Sequence, residues 1–196
     1  MNAPEELKIE RRKKRTPRKV TAKTLDNAAL YYLSRFATSA ENLRRVMMRK
    51  IQLSAKHHGT SVDDGADLLE SMIQQYLNSA LLDDAAYATT RAASLHRRGN
   101  SARVITGKLK QKGVGSDDIA AAIEALRDDL DDGEDPELNA ALTLARKRRF
   151  GPFGLEPPGE EKRKKQLAAM ARAGFSYGIA KRIINATSEE DIEHPY

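Results

Sequence analysis

The 196-residue sequence predicts an all-α protein built of tandem repeats of three-helix units, about nine helices forming an elongated array. Three observations lead to that class. Apolar residues recur at helical spacing along most of the chain. Helix starts at Ser, Thr or Asp alternate with stops at Gly, as in RRGNSARVITGKLKQKGV at 97–114, where Gly99 stops one helix, Asn100 or Ser101 starts the next and Gly113 stops it. Finally, segments echo one another: Ser39-Ala40, Leu43 and Met47 recur as Ser101-Ala102, Ile105 and Leu109 at a constant offset, and LKQKGVGSDDIAAAI resembles MARAGFSYGIAKRI, aligning Gly113 with Gly174.

The elements follow in order. Residues 1–23 lack apolar periodicity and include the basic run KIERRKKRTPRKVTAK, so burial cannot offset their ordering entropy and a mobile basic arm is expected. It carries Arg11, Arg12, Lys13, Lys14, Arg15, Arg18 and Lys19. A first unit spans 24–80. Leu25, Ala29, Tyr32, Leu33 and Phe36 form one helical face; TSAE at 38–41 reads as a capping box with Thr38 as cap and Glu41 reaching back; Leu43, Val46, Met47 and Ile51 continue a second helix; Leu69, Ile73, Tyr76 and Leu77 mark a third.

A second unit spans 81–130. Asp83 or Asp84 caps a helix that ends in basic residues before Gly99, the next carries Ile105 and Leu109, and Ser116 opens a helix with Ile119, Ile123 and Leu126. A third unit spans 131–187, where Asp135 is the N-cap, Pro136 the first helical residue and Gly151 the stop. A Pro/Gly-rich loop, GPFGLEPPGE, precedes a helix with Leu167 and Met170, and Ser176 starts a last helix with Ile179 and Ile183. Residues 188–196 are left as a tail.

Composition narrows the function. Aromatic residues make up 5% of the chain and Trp is absent, so the core must be made of Ala, Leu, Ile and Val; a unit of about 40 residues built this way needs neighbours to share its apolar faces. The net charge of +6 favours polyanionic partners, although DDLDDGEDPE at 128–137 is a solvated acidic linker. With no cysteine, disulfides and thiolate chemistry are excluded. No apolar run suggests a membrane span or signal peptide, so a cytoplasmic protein without membrane contact is expected, and the Asn185-Ala186-Thr187 sequon carries no weight.

No catalytic constellation, cofactor site or metal site emerges. His57 and His58 are adjacent and cannot face one metal from a helix or loop; His96 precedes a helix stop, where its interaction with the helix dipole accounts for it. The acidic linker lacks the ligand register of a calcium loop. Gly107-Lys108 has Ala102 where a phosphate-binding loop needs its other glycine, and Leu109 where it needs Ser or Thr. Basic residues do recur in successive units. Arg91, Arg97, Arg98, Lys108 and Lys112 stand in the second, and Arg146, Lys147, Arg148 and Arg149, followed by EKRKK, in the third. They point to a polyanion or to an acidic protein surface, while the arm is suited to contacting phosphate without reading sequence.

The second and third units resemble the RecX family of bacterial recombination regulators. The matching elements are Asp83, Asp84, Tyr87, Ala88, Arg91, Gly99, Leu109, Lys112, Gly113 and Val114, then Gly174, Phe175, Ser176 and Tyr177, within a resemblance over roughly residues 25–186. Tyr87 stands where the family more often has Phe, and AKHHGTSVDDGAD lengthens the first unit. The resemblance implies a non-enzymatic protein, curved to lie along the groove of a RecA filament on DNA, that inhibits the recombinase ATPase and strand exchange and so damps recombinational repair and the SOS response; a monomer is expected. Arg91, Arg97, Arg98, Lys108, Lys112 and Arg146 to Arg149 would then meet acidic recombinase surface or filament DNA. An autonomous architectural nucleic-acid-binding protein would use the same arm and helix faces.

Overall fold

Side-chain oxygens begin most of the helices. In the computed structural model, which describes residues 16–128 and 134–193, Thr21 caps α1 (Ala22–Leu33), Ser39 caps α2 (Ala40–His58) and Ser61 caps α3 (Val62–Asn78). Asp83 caps α4 (Asp84–His96), Ser101 caps α5 (Ala102–Gln111), Asp135 caps α7 (Pro136–Arg148) and Ser176 caps α9 (Tyr177–Asn185). Each accepts a first-turn backbone N–H that the helix cannot bond itself. Between them, α6 (Ser116–Glu124) and α8 (Glu160–Arg172) start behind Gly115 and Gly159 without a side-chain cap. A 3₁₀ turn at Gly151–Phe153 and the short α10 (Glu190–Glu193) complete the set, and all regular secondary structure among the described residues is helical.

Several local expectations need correction. Thr38 is not the cap of α2: its hydroxyl accepts from Asn42 Nδ2 at 2.7 Å, and Ser39 caps instead. Glu41 does not reach back to the cap, because Arg44 and Arg45 hold its carboxylate. Phe36 lies in the turn beyond α1 and is 54% exposed. α7 stops at Arg148, with Arg149 in the left-handed region, rather than at Gly151, which opens the 3₁₀ turn. His57 and His58 belong to the last turn of α2. Within the stretch assigned to the tail, Ile192 is fully buried against the third core, since its flanking residues fold into α10.

The arm is tied down earlier than its composition suggests. His58 Nε2 donates to the Pro17 carbonyl at 2.7 Å, and the Val20 N–H donates to the buried Ser54 hydroxyl at 2.9 Å. Arg18 and Lys19 are exposed beside these anchors; Arg11, Arg12, Lys13, Lys14 and Arg15 lie outside the described residues.

Three apolar cores divide the helices. Leu25, Leu43, Met47, Ile51, Leu69 and Ile73 fill the first, from α1 to α3. Ile105, Leu109 and Ile119 meet Ala88 and Ala92 in the second, from α4 to α6. In the third, Met170, Phe175, Ile183 and Ile192 pack against Ala140, Ala141 and Ala145 of α7. Alanine faces on α4 and α7 let neighbouring helices approach closely, which compensates for the scarcity of large rings.

The joints between units are built twice from the same parts. Ser39 Oγ accepts from the Asn42 N–H and donates to the Lys112 carbonyl at the end of α5, while the Ala40 N–H donates to the Asp84 carboxylate at 2.8 Å. One unit later, Ser101 Oγ accepts from the Val104 N–H and donates to the Ala173 carbonyl at the end of α8 at 2.7 Å, and the Ala102 N–H donates to Glu137 at 2.9 Å. The serine hydroxyl thereby satisfies a free N–H at one helix start and a free carbonyl at another helix end, and the carboxylate takes a second N–H across the joint. Gly113 and Gly174 admit this approach: with φ of +78° and +91°, a Cβ would stand 2.2 Å from Glu41 Cγ and 2.5 Å from Ser101 Oγ respectively. The offset between Ser39 and Ser101 noted in the sequence is thus the spacing of an interlock.

Candidate polyanion-binding interface

Two arginines of the first unit, Arg44 and Arg45, are paired with neighbouring carboxylates. Arg44 forks onto Glu70 with Nε at 2.9 Å and Nη2 at 3.1 Å, and reaches Glu41 at 2.7 Å. Arg45 pairs with Glu41 at 2.9 Å and donates to the Gln111 carbonyl. These hydrogen bonds hold both carboxyls below their usual range, Glu41 chiefly through Arg44 and Glu70 chiefly through Arg44. Charge paired in this way adds less to the local positive potential than an unpaired cation.

The third unit differs. Arg148 and Arg149 at the end of α7 meet Lys162 and Lys165 of α8 around an open cleft of about 440 Å³, whose other lining includes Phe150, Gln166 and Ala169. No carboxylate lines it, and none of the four cations makes a side-chain hydrogen bond or ion pair among the described residues. Arg149 is held at φ +56°, a conformation that costs a residue with a Cβ about 1 kcal/mol or more. The buried Gln166 accepts the Gly151 N–H at 3.2 Å, which fixes the chain that follows. Leu155, 93% exposed, projects beside the same cleft. Such a convergence raises the local positive potential and suits phosphate or carboxylate, which Arg can bind bidentately.

The other basic candidates fall into distinct settings. Arg146 serves the fold, paired with Glu189 and stacked 5.5 Å over the Phe153 ring. Lys147 is exposed. Arg97 and Arg98 are exposed at the end of α4 and line neither this cleft nor the next. Lys108 donates to Asn100 at 2.6 Å. Arg91 and Lys112 come together in a second cleft, between α4 and the turn after α1, where Lys112 Nζ donates to Asn42 at 3.2 Å. Sequence reasoning gave no role to Gln166 or Leu155; for Leu155 the surrounding Pro/Gly-rich loop was the available signal.

The histidines are structural where they are bonded, His96 Nε2 donating to the Pro136 carbonyl at 2.7 Å. Among the described residues, no group of three His, Asp or Glu side chains could hold a metal ion, and no helix is long and apolar enough to cross a membrane.

Known proteins share this fold and much of this sequence. The family model for the second three-helix domain of RecX matches residues 83–123, from the cap of α4 to the end of α6. A regulatory protein RecX of Myxococcus xanthus is 42% identical over 91% of this chain and 93% of its own length. Another, from Agrobacterium fabrum, is 34% identical over 84% of this chain and 83% of its own length. The crystal structure of RecX from Lactobacillus salivarius superposes with a TM-score of 0.60, covering 85% of this chain and 96% of that one at 21% identity, so the fold is shared although most side chains differ. With three-helix units joined in series and relatives matched over nearly their whole length, the chain belongs to the RecX family of regulatory proteins.

Proposed function

We propose that the chain binds the RecA recombinase filament in the cytoplasm as a monomer and restrains it, lowering its ATPase and strand-exchange activity and so damping recombinational repair and the SOS response. Membership of the RecX family carries this reading. Cations of the second and third units supply compatible physics. In this reading Arg91, Arg97, Arg98, Lys108 and Lys112, with Lys147, Arg148 and Arg149, face acidic recombinase surface or filament DNA, Arg146 braces the loop behind them, and the basic arm adds contact to phosphate.

The test is the DNA-dependent ATPase of the cognate RecA on single-stranded DNA during titration with this protein. Inhibition that survives deletion of the arm and weakens on charge reversal at Arg97 and Arg98 is the expected result. The cleft of four unpaired cations supports a second reading, an architectural protein that binds DNA without the recombinase. Unaffected filaments, together with tight, salt-sensitive binding to bare DNA, would establish that reading instead.

A further inference from the structure

The two joints between units share the serine and carboxylate bonds, and they differ at the turn that precedes the capping serine. At the later joint the turn after α4 lies directly on α7: a Cβ at Gly99 would come within 2.9 Å of the Leu144 nitrogen and 3.1 Å of the Ala140 carbonyl oxygen. The equivalent carboxylates Asp84 and Glu137 set the correspondence between α4 and α7. That correspondence places Tyr87 where α7 has Ala140, and Arg91 where it has Leu144. The neighbouring Ala88 and Ala92 match Ala141 and Ala145, all four with no exposed surface, which supports the register.

Larger side chains at those two positions keep the turn after α1 away from α4. The turn is also longer, residues 34–38 against 97–100. A cleft of about 890 Å³ remains, lined by Tyr87, Arg91, Lys112, Phe36, Leu30 and Leu81. Phe36, Leu81 and Leu30 are 54%, 48% and 41% exposed, a concentration of apolar surface that a monomeric protein does not need. Arg91 makes no side-chain hydrogen bond or ion pair among the described residues, and Lys112 reaches only Asn42. The carboxylate that lines the cleft, Asp83, is engaged by the Ala86 N–H at 2.8 Å. An apolar cavity with two cations is therefore presented.

We infer that this cleft docks an acidic segment of a partner protein, a large apolar side chain seating against Phe36 and Leu81 while a carboxylate beside it pairs with Arg91 and Lys112. The identity of the partner as the recombinase rests on the function proposed above; the cleft chemistry does not. Leucine and alanine line the cleft extensively, and Phe36 is tilted at 43° against Tyr32 with ring centroids 5.1 Å apart, so the surface seats an aliphatic or aromatic side chain better than a stack of bases.

A short fluorescein-labelled peptide with a Phe-Leu pair followed by aspartates probes the cleft by anisotropy, beside a counterpart with Ser-Ser in place of Phe-Leu. The first peptide binds wild type, and affinity falls at least about tenfold for the Ser-Ser peptide, for Phe36→Ser and for Arg91→Glu. Leu81→Ser, together with thermal melts of each variant, separates loss of docking from loss of fold. Failure of the first peptide to bind, or equal binding by the Ser-Ser peptide or by all three folded variants, overturns the proposal; so does Phe36→Ser weakening binding of an oligothymidylate while leaving the peptide unaffected. Competition by cognate RecA identifies the recombinase as partner. If RecA fails to compete while the peptide still depends on Phe36 and Arg91, the cleft stands and the recombinase reading falls.

Discussion

Ser101 donates its hydroxyl proton to the carbonyl of Ala173 at 2.7 Å, across 72 residues of chain, while the same oxygen accepts the Val104 N–H that starts α5. One fully buried side chain thus caps a helix in one unit and closes a helix end in the next. Ser39 does the same with Lys112 and Asn42. This duplication makes the joint between units, rather than any single core, the feature on which several testable consequences depend.

Ser101→Ala removes both bonds and leaves the Ala173 carbonyl without that partner. A lost cap costs about 0.5–2 kcal/mol, and leaving the half-buried Ala173 carbonyl unmet adds up to about 1–3 kcal/mol. Ser176→Ala, where the hydroxyl caps Ile179 on an exposed helix start, should lose only the first amount. Urea denaturation of the two variants measures the difference, and equal losses would mean that the joint contributes little.

Gly174→Ala and Gly107→Ala should move stability in opposite directions. At Gly174 the backbone is left-handed and the added carbon would collide with Ser101, whereas nothing lies within 4 Å of the same carbon at Gly107 in α5. The helical site should gain about 0.5–1 kcal/mol from Ala, and the joint should lose more than that. Thermal melts of both proteins provide the comparison.

Leu109→Ala tests the second core. Leu109 has no exposed surface and packs with Ile105 and Ile119, so truncation should cost about 2–5 kcal/mol, measurable by denaturant titration.

Asp84→Asn should stabilise the protein at neutral pH. Burial raises the Asp84 carboxyl above its usual range, helped by the nearby carboxylates Asp118 and Asp83, while the Ala40 N–H opposes the shift. Because the folded state binds this proton more tightly than the unfolded state, the carboxyl lowers stability as pH rises from its unfolded value through the raised one. Asn keeps an acceptor for Ala40 without the charge. The gain in Tm should therefore be present at pH 7 and shrink on acidification toward pH 4, and a pH-independent difference would contradict it.

Arg146 and Arg148 should separate fold from binding. Arg146→Ala breaks the contacts to Glu189 and Phe153 and should lower Tm with little effect on DNA affinity. Arg148→Ala should leave Tm near wild type and reduce the salt slope of single-stranded DNA binding by about 0.7 if its guanidinium meets one phosphate. Affinity measured across a salt series, beside melts, reads both.

The sequence by itself determined the helices and their punctuation. Helical periodicity, serine and aspartate caps and glycine stops act within a turn or two of chain, so Asp83, Ser101, Asp135 and Ser176 were legible as starts, and Leu43, Met47, Ile105 and Leu109 as core. Where two local signals competed, reading faltered: Thr38 and Ser39 both offered a hydroxyl, and Ser39 takes the Asn42 backbone N–H while Thr38 takes its side-chain amide. Ile192 looked like part of a tail because one isoleucine among charges has no period. The fate of each cation was decided only by tertiary structure. Arg44 and Arg146 are bound by Glu70 and Glu189, whereas Arg148 and Arg149 meet Lys162 and Lys165 without an acid, and Tyr87 and Arg91 open a cleft that alanine and leucine close one unit later. Helical order follows from neighbours along the chain, but ion pairing and clefts depend on which surfaces packing brings together across dozens of residues.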